Sequence, residues 1–336
     1  MNPLLILGIE TSCDETAAAI VANGRDILSN VINSQINIHQ RFGGVVPEVA
    51  SRKHIENIAL VVDMAFEEAR LSYQEIDAVA VTNTPGLIGT LLVGLSFAKA
   101  FAYGLGRPLI AVNHLHGHIY ANFLEHDNIE LPAVCLVVSG GHTSILYMKD
   151  RKSFEIIGET RDDAAGEAFD KVARFLGLGY PGGPAIEKAA QQGETGKIKL
   201  PRVFLDRNDF EFSFSGLKTA SVNQWQKIKA KEGYSVHDLA AEFQAALVEV
   251  LVEKTMRAVE KFQVKTVLMA GGVAANQVLR DTMRRRAEAL GIQLFYPSLK
   301  LCTDNAAMIA GNAYYHYMDG NFAPLNVNAY PGLLSL

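Results

Sequence analysis

Two histidines four residues apart are the residues best suited to chemistry in this chain: His114 and His118, in His114-Leu115-His116-Gly117-His118. On a helix, residues at i and i+4 share a face, so both imidazoles can reach one metal ion. Asp304 opens the last helix of the second half and is the candidate third ligand. Two imidazoles and one carboxylate leave coordination positions open for a substrate. A metalloprotease is disfavoured, because Leu115 stands where the general-base glutamate of HExxH would be. The plain alternative is a histidine-rich helix start that holds no ion, since such pairs also arise by chance.

Four further stretches have the composition of ligand loops. Gly8-Ile9-Glu10-Thr11-Ser12-Cys13-Asp14-Glu15-Thr16 puts hydroxyls and turn amides at a strand end, where a phosphate can be cradled. The adjacent carboxylates of Asp14 and Glu15 would repel an anion unless a metal or a proton intervenes. Val137, Val138, Ser139, Gly140 and Gly141 form a strand end and glycine turn that lets backbone approach a ligand. Asp163, Glu167 and Asp170 share one helix face; a carboxylate there can hold ribose hydroxyls, or the stretch is only an N-cap with an acidic stripe. Pro181-Gly182-Gly183-Pro184 follows and brings backbone close to the same ligand. Met269 to Asn276 is a glycine turn between strand and helix, without the spacing of a dinucleotide fingerprint.

The elements that position these residues occur twice. Apolar runs predict strands over Leu4–Glu10, Thr16–Ala22 and Asp26–Gln35. A helix follows from Glu48 to Arg70, with Ile55, Ile58, Ala59, Val62 and Phe66 as its apolar positions. Then come strand Val79–Val81, helix Leu87–Tyr103, strand Leu109–Val112 and a short helix. The second half repeats the order with strands Ala133–Val138, Ser144–Met148 and Phe154–Glu159 and a helix over Asp163–Leu176. It continues with helix Val236–Phe262, strand Thr266–Met269, helix Val273–Leu290, strand Gln293–Phe295 and helix Thr303–Tyr317. The expectation is α/β, with two βββαβαβα lobes of the actin-like ATPase (RNase H-like) plan facing a nucleotide cleft. Residues 1–128 form the first lobe, with 303–336 packing back on it. Residues 129–302 form the second, with an insertion over about 177–236.

At 336 residues, 49% hydrophobic and 20% charged, the chain has the composition of a globular protein large enough for two cores. A net charge of −5 argues against general nucleic-acid binding but leaves room for a local basic patch. Arg280, Arg284, Arg285 and Arg286, with Lys197, Lys199, Arg202 and Arg207, are the residues that would build one; a solvated helix face is the plainer reading. Cys13, Cys135 and Cys302 stand far apart, which disfavours a disulfide framework and fits a reducing cytosol. Neither a signal peptide nor a membrane span is expected, so the location is taken as cytoplasmic.

With its blocks in this order, the chain resembles the TsaD (Gcp) family of tRNA N6-adenosine threonylcarbamoyltransferases. The resemblance runs from GIETSCDET through FGGVVPEVASRKH, HLHGH, VVSGGHT, DDAAGEAFDK, FSFSGLKT and MAGGVAAN to CTDNAAMIA. It implies transfer of the threonylcarbamoyl group of threonylcarbamoyl-AMP to the adenosine 3′ of the anticodon in tRNAs reading ANN codons. It also implies that His114, His118 and Asp304 bind one divalent ion, Fe2+ with Zn2+ as the alternative. Val137 to Gly141, Asp170, Gly183, Glu187 and Asn276 would hold the adenylate; Glu187 departs from the Asp of many members. Asp14 or Glu15 would accept the proton of the attacking amine. The implied partners are tRNA, a paralogous TsaB-like subunit and a TsaE-like ATPase. The competing readings are a small-molecule kinase of the same architecture and a non-catalytic nucleotide-binding scaffold.

Overall fold

A computed structural model describes residues 3–332. The chain divides into two units, Met1–Asn128 with Pro297–Leu336, and Ile129–Tyr296.

In the first unit, β1 (Leu5–Glu10) lies at the centre of a five-stranded sheet of order β3-β2-β1-β4-β5. It pairs antiparallel with β2 (Glu15–Ala22) and parallel with β4 (Ala78–Thr84). β3 (Asp26–Ser34) and β5 (Leu109–Asn113) are the edges. Every residue of β1 is buried, as expected for a strand covered on both faces. Side chains alternate between the faces. Leu7, Ile9 and Ile20 meet α2 (Pro47–Ala69) and α3 (Ile88–Leu105) through Ile58, Val62, Phe66, Leu91 and Leu95. Ile6, Val21 and Val112 meet α4 (His114–Glu125) and α11 (Ala306–Met318) through Ala121, Met308 and Ile309. The C-terminal helix is therefore part of this unit's core. At Gly8 it crosses β1 so closely that a Cβ would overlap the Ala306 carbonyl. Two short helices, α1 (Ile36–His39) and α10 (Leu299–Cys302), complete the unit.

The second unit repeats the plan. Its sheet has the order β10-β9-β6-β7-β8. β6 (Ala133–Val138) is central, antiparallel to β7 (Thr143–Met148) and parallel to β9 (Thr266–Ala270). β8 (Phe154–Glu159) and β10 (Gln293–Phe295) form the edges. The helices are α5 (Ala165–Phe175), α6 (Gly182–Ala190), α7 (Ser215–Ile228), α8 (Val236–Phe262) and α9 (Gln277–Leu290). α6 and α7 occupy the stretch read as an insertion.

Several elements differ from the sequence expectation. The buried stripe of α2 runs through His54, Ile58, Val61, Val62, Ala65 and Phe66, while Ile55 is 66% exposed and Ala59 lies on the same outer side. α9 begins at Gln277, not Val273: Gly272–Ala275 forms a separate 3-10 turn, and Asn276 takes an extended conformation and caps the helix. Likewise α11 starts at Ala306, because Asn305 is its N-cap. α3 is long and apolar enough to cross a membrane by composition, contrary to expectation. Here it packs on β4 and α2, and Lys99 Nζ donates to the Val327 carbonyl at 2.5 Å.

Candidate metal centre and ligand loops

The metal candidates lie together in the first unit. Asn113 caps α4, its Oδ1 accepting from the amides of Leu115 at 2.9 Å and His116 at 3.3 Å. This fixes His114 at the first helical position and His118 one turn later, with ring centroids 4.6 Å apart. α4 and α11 approach closely at Gly117, where a Cβ would press on Ile309. The turn before α11 presents Asp304. Its shape is set by Asn305, whose Oδ1 accepts from Met308 N at 3.0 Å and whose Nδ2 donates to the Thr303 carbonyl at 2.8 Å. Asp304 Oδ1 is then 3.5 Å from His114 Nε2 and 3.0 Å from His118 Nε2. One donor atom from each of the three residues falls within 4.8 Å of the others.

The fit of an ion to these residues rests on His118. Its side chain is fully buried, and neither ring nitrogen makes a hydrogen bond. A buried imidazole left in that state is costly. Its Nε2 nevertheless lies 3.0 Å from Asp304 Oδ1, within the cluster of three donors that could share one ion. Two neutral nitrogens and a carboxylate oxygen are the donor set of a borderline divalent ion.

Sequence reading missed the residue behind His114. Glu10, the last residue of β1, is fully buried, and its Oε2 lies 3.0 Å from His114 Nδ1. Burial raises the Glu10 carboxyl, but attraction to His114 and the bond to it prevail and hold it below its ordinary range. An acid ending an otherwise apolar strand was the available signal. The loop after Glu10 is also pinned: Thr90 Oγ1 and Leu87 N donate to the Ser12 carbonyl at 3.0 and 2.8 Å, while His54 contacts the Cys13 carbonyl at 2.9 Å and Thr16 Oγ1 at 2.8 Å. Beside it, burial and then the charges of Asp14 and Asp304 push the Glu15 carboxyl well above its ordinary range. A carboxyl so raised is a stronger proton acceptor than an ordinary glutamate.

The second unit gathers the other candidates. Ser139 closes a tight turn, its amide donating to the His142 carbonyl at 2.8 Å and its Oγ accepting from His142 N at 3.1 Å. A Cβ on Gly271, at φ +91, would overlap the Val138 carbonyl, so the turn after β9 lies against this strand end. Asp170 Oδ1 accepts from Gly182 N at 2.6 Å, joining α5 to the glycine pair that contains Gly183. Asn276 is engaged at both ends: Oδ1 accepts from Leu279 N, and Nδ2 donates to Gln244 Oε1, each at 2.9 Å. Glu187 Oε1 accepts from Gln277 N at 2.7 Å.

Other candidates have structural partners. Asp162, in the bend before α5, caps α7, accepting from Phe214 N at 2.8 Å and Ser215 N at 3.0 Å and from the hydroxyls of Ser213 and Ser215. Asp163 and Glu167 both pair with Lys171 at 2.7 Å. Arg280 is buried, donates to the Ala274 carbonyl at 2.6 Å and stacks on Tyr296. Arg284 pairs with Asp281, Arg286 with Glu253, Lys197 with Glu194, and Arg202 with Glu242 and Glu249. Cys135 is fully buried, and burial pushes its thiol far up, which leaves it inert.

Two α/β/α units of identical strand order define the actin-like ATPase class of fold. Solved structures of that fold agree with this. The HypF protein of T. kodakarensis is 16% identical with a TM-score of 0.61, over 95% of this chain and 49% of that one. Component A of (R)-2-hydroxyglutaryl-CoA dehydratase from Acidaminococcus fermentans is 15% identical with a TM-score of 0.57, over 94% and 98%. The family model for TsaD, tRNA N6-adenosine threonylcarbamoyltransferase, matches residues 26–311. A protein of that name from Syntrophomonas wolfei is 74% identical over 332 residues, 99% of this chain and 98% of its own. Another from Moorella thermoacetica is 56% identical over 330 residues, covering 98% and 96%. The chain belongs to the TsaD family. It is thus an acyltransferase of a metal-dependent family.

Proposed function

We propose that this enzyme transfers the threonylcarbamoyl group of threonylcarbamoyl-AMP to N6 of the adenosine 3′ of the anticodon in tRNAs reading ANN codons. One divalent ion, Fe2+, would be held by His114, His118 and Asp304. The observation that carries the reading is the convergence of those three donors in a chain whose relatives bear this activity in their names. Two imidazoles in the set speak against a kinase using magnesium, which prefers oxygen ligands.

The reaction is acyl transfer from a mixed carbamic–phosphoric anhydride to an aryl amine. Adenylate is a good leaving group, so the protein's main tasks are to orient the amine and to stabilise charge developing on oxygen. When bound, the ion supplies Lewis acidity toward a carbonyl or phosphate oxygen. Val137 to Gly141 would offer backbone to the adenylate, and Asp170 its carboxylate to the ribose hydroxyls, with Gly183 beside it. Asn276 and Glu187 would contact the nucleotide by exchanging their present partners, Gln244 and the Gln277 amide. Asp14 or Glu15 would take the amine proton, and the raised carboxyl of Glu15 favours the latter.

We assign tRNA, a paralogous TsaB-like subunit and a TsaE-like ATPase as partners, and the cytoplasm as the location. Exposed apolar side chains on α2 and α3, among them Ile55, Leu60, Met64 and Leu92, support docking of a subunit there. Because most arginines of α9 are already engaged within the chain, phosphate contacts would fall to other cations.

The test is single-turnover transfer from labelled threonylcarbamoyl-AMP to an unmodified ANN-decoding tRNA, with and without the partners. Wild type should transfer and His114→Ala should not. Equal transfer by both would remove the metal from the mechanism, and a phosphorylated small molecule as product would favour the kinase.

A further inference from the structure

We propose that Glu10 is a positioning residue for the metal: its carboxylate fixes the tautomer of His114 and aims Nε2 at the ion. The proposal rests on the metal reading above.

Glu10 occupies a place that packing alone would give to an apolar residue. The rest of β1 is Leu5, Ile6, Leu7, Gly8 and Ile9, and all six residues are buried. A buried carboxylate is costly unless its oxygens are satisfied. Here they are. Oε1 accepts from Ser12 N at 2.5 Å. Oε2 accepts from Thr82 Oγ1 at 2.5 Å and faces His114 Nδ1 at 3.0 Å. The carboxylate is thus locked by two elements besides the histidine, the loop after β1 and strand β4.

An ionised carboxylate only accepts, so the histidine nitrogen facing it must carry hydrogen. A neutral His114 then has its lone pair on Nε2, the nitrogen turned toward Asp304. Ser12 Oγ, 3.2 Å from the same Nδ1, lies on the same side of the ring. An outer-sphere carboxylate of this kind orients a metal-bound imidazole and raises its basicity. The two histidines differ in this respect, because Nδ1 of His118 makes no hydrogen bond. His114 is the pre-oriented ligand, whereas the Nδ1 side of the His118 ring is held by packing.

The experiment is titration of the metal-stripped full chain with Co2+, followed by calorimetry and by the visible absorption of the bound ion. Wild type should bind one equivalent. Glu10→Gln, which keeps the shape but removes the charge, should bind about 10–100-fold more weakly and shift the Co2+ absorption band, while the stripped protein remains folded by circular dichroism. A folded Glu10→Gln with wild-type affinity and spectrum would overturn the proposal. If Glu10→Gln does not fold, Thr82→Val decides. It removes the Thr82 hydrogen bond to Oε2 without removing the charge, so the carboxylate is held less firmly against His114 and Co2+ binding should weaken several-fold; unchanged binding would overturn the proposal. Failure of wild type to bind would instead refute the metal reading, and this proposal with it.

Discussion

The Nε2 of His118 lies 3.0 Å from Asp304 Oδ1, and the two form no hydrogen bond. On the proposed metal reading, that approach leaves both side chains able to turn toward one ion. His118→Ala should therefore weaken metal binding by more than the ~10–100-fold expected for loss of an outer partner, and it should relieve a buried unsatisfied ring. Calorimetric titration with a divalent ion, beside a thermal melt of the stripped protein, reads both. Lost binding is the expected result, in a stripped variant whose melt still shows a cooperative fold; the cavity left by the ring works against the relief of its unsatisfied nitrogens.

Acid should release the ion. In the stripped protein burial disfavours the charged His114 ring, but Asp304 and Glu10 outweigh it and lift the pKa to about 9. Metal and proton compete for this imidazole. Below about pH 9 the apparent affinity should thus rise by roughly tenfold per pH unit from this group and flatten above it. Affinities measured between pH 6 and 9.5 test the slope, and a flat profile would show that no proton leaves His114.

The same group governs the stability of the stripped protein in the opposite direction. Its folded pKa lies above the unfolded value of 6.5, so its contribution is full below that value and is lost as pH rises through about 9. Thermal melts across this window should fall with pH in wild type and fall less in His114→Gln.

Gly271 and Gly272 are neighbours with unequal tolerance. At Gly271, φ is +91 and a Cβ would overlap the Val138 carbonyl; at Gly272 a Cβ meets nothing within 4 Å. Gly271→Ala should cost more than about 1 kcal/mol and raise the KM for threonylcarbamoyl-AMP, because it pushes on Val138 beside the glycine turn. Gly272→Ala should be near neutral in the same melts and kinetics.

Asp162 ties the segment before α5 to the start of α7 through four hydrogen bonds. Asp162→Ala removes a charged cap and should lower stability by roughly 2–3 kcal/mol. A fall in Tm of several degrees, with metal affinity unchanged, would place its role in the second unit's structure.

Both sheets and the repeated order were legible because central strands covered on two faces read as unbroken apolar runs, as in Leu5–Ile9 and Ala133–Val138. The histidine pair was legible because helical spacing alone puts both rings on one side. What stayed hidden depends on tertiary context. Ile55 and Ala59 fit the helical period of α2, yet His54 takes the buried position because Thr16 and the Cys13 carbonyl satisfy its ring. Asn276 and Asn305 end up as caps, which shortens the helices expected around them. Glu10 carries only the faint signal of an acid at the end of an apolar strand. Its role exists only where β1, β4 and α4 meet.

The central claim, one ion gripped by His114, His118 and Asp304, is tested most directly by loading the stripped protein with Fe2+ or Zn2+ and collecting anomalous diffraction. A single peak bonded to both Nε2 atoms and to the Asp304 carboxylate, absent from crystals of His118→Ala, is the expected result. A fully loaded crystal with no peak at these three side chains, or with the ion held elsewhere, would contradict it.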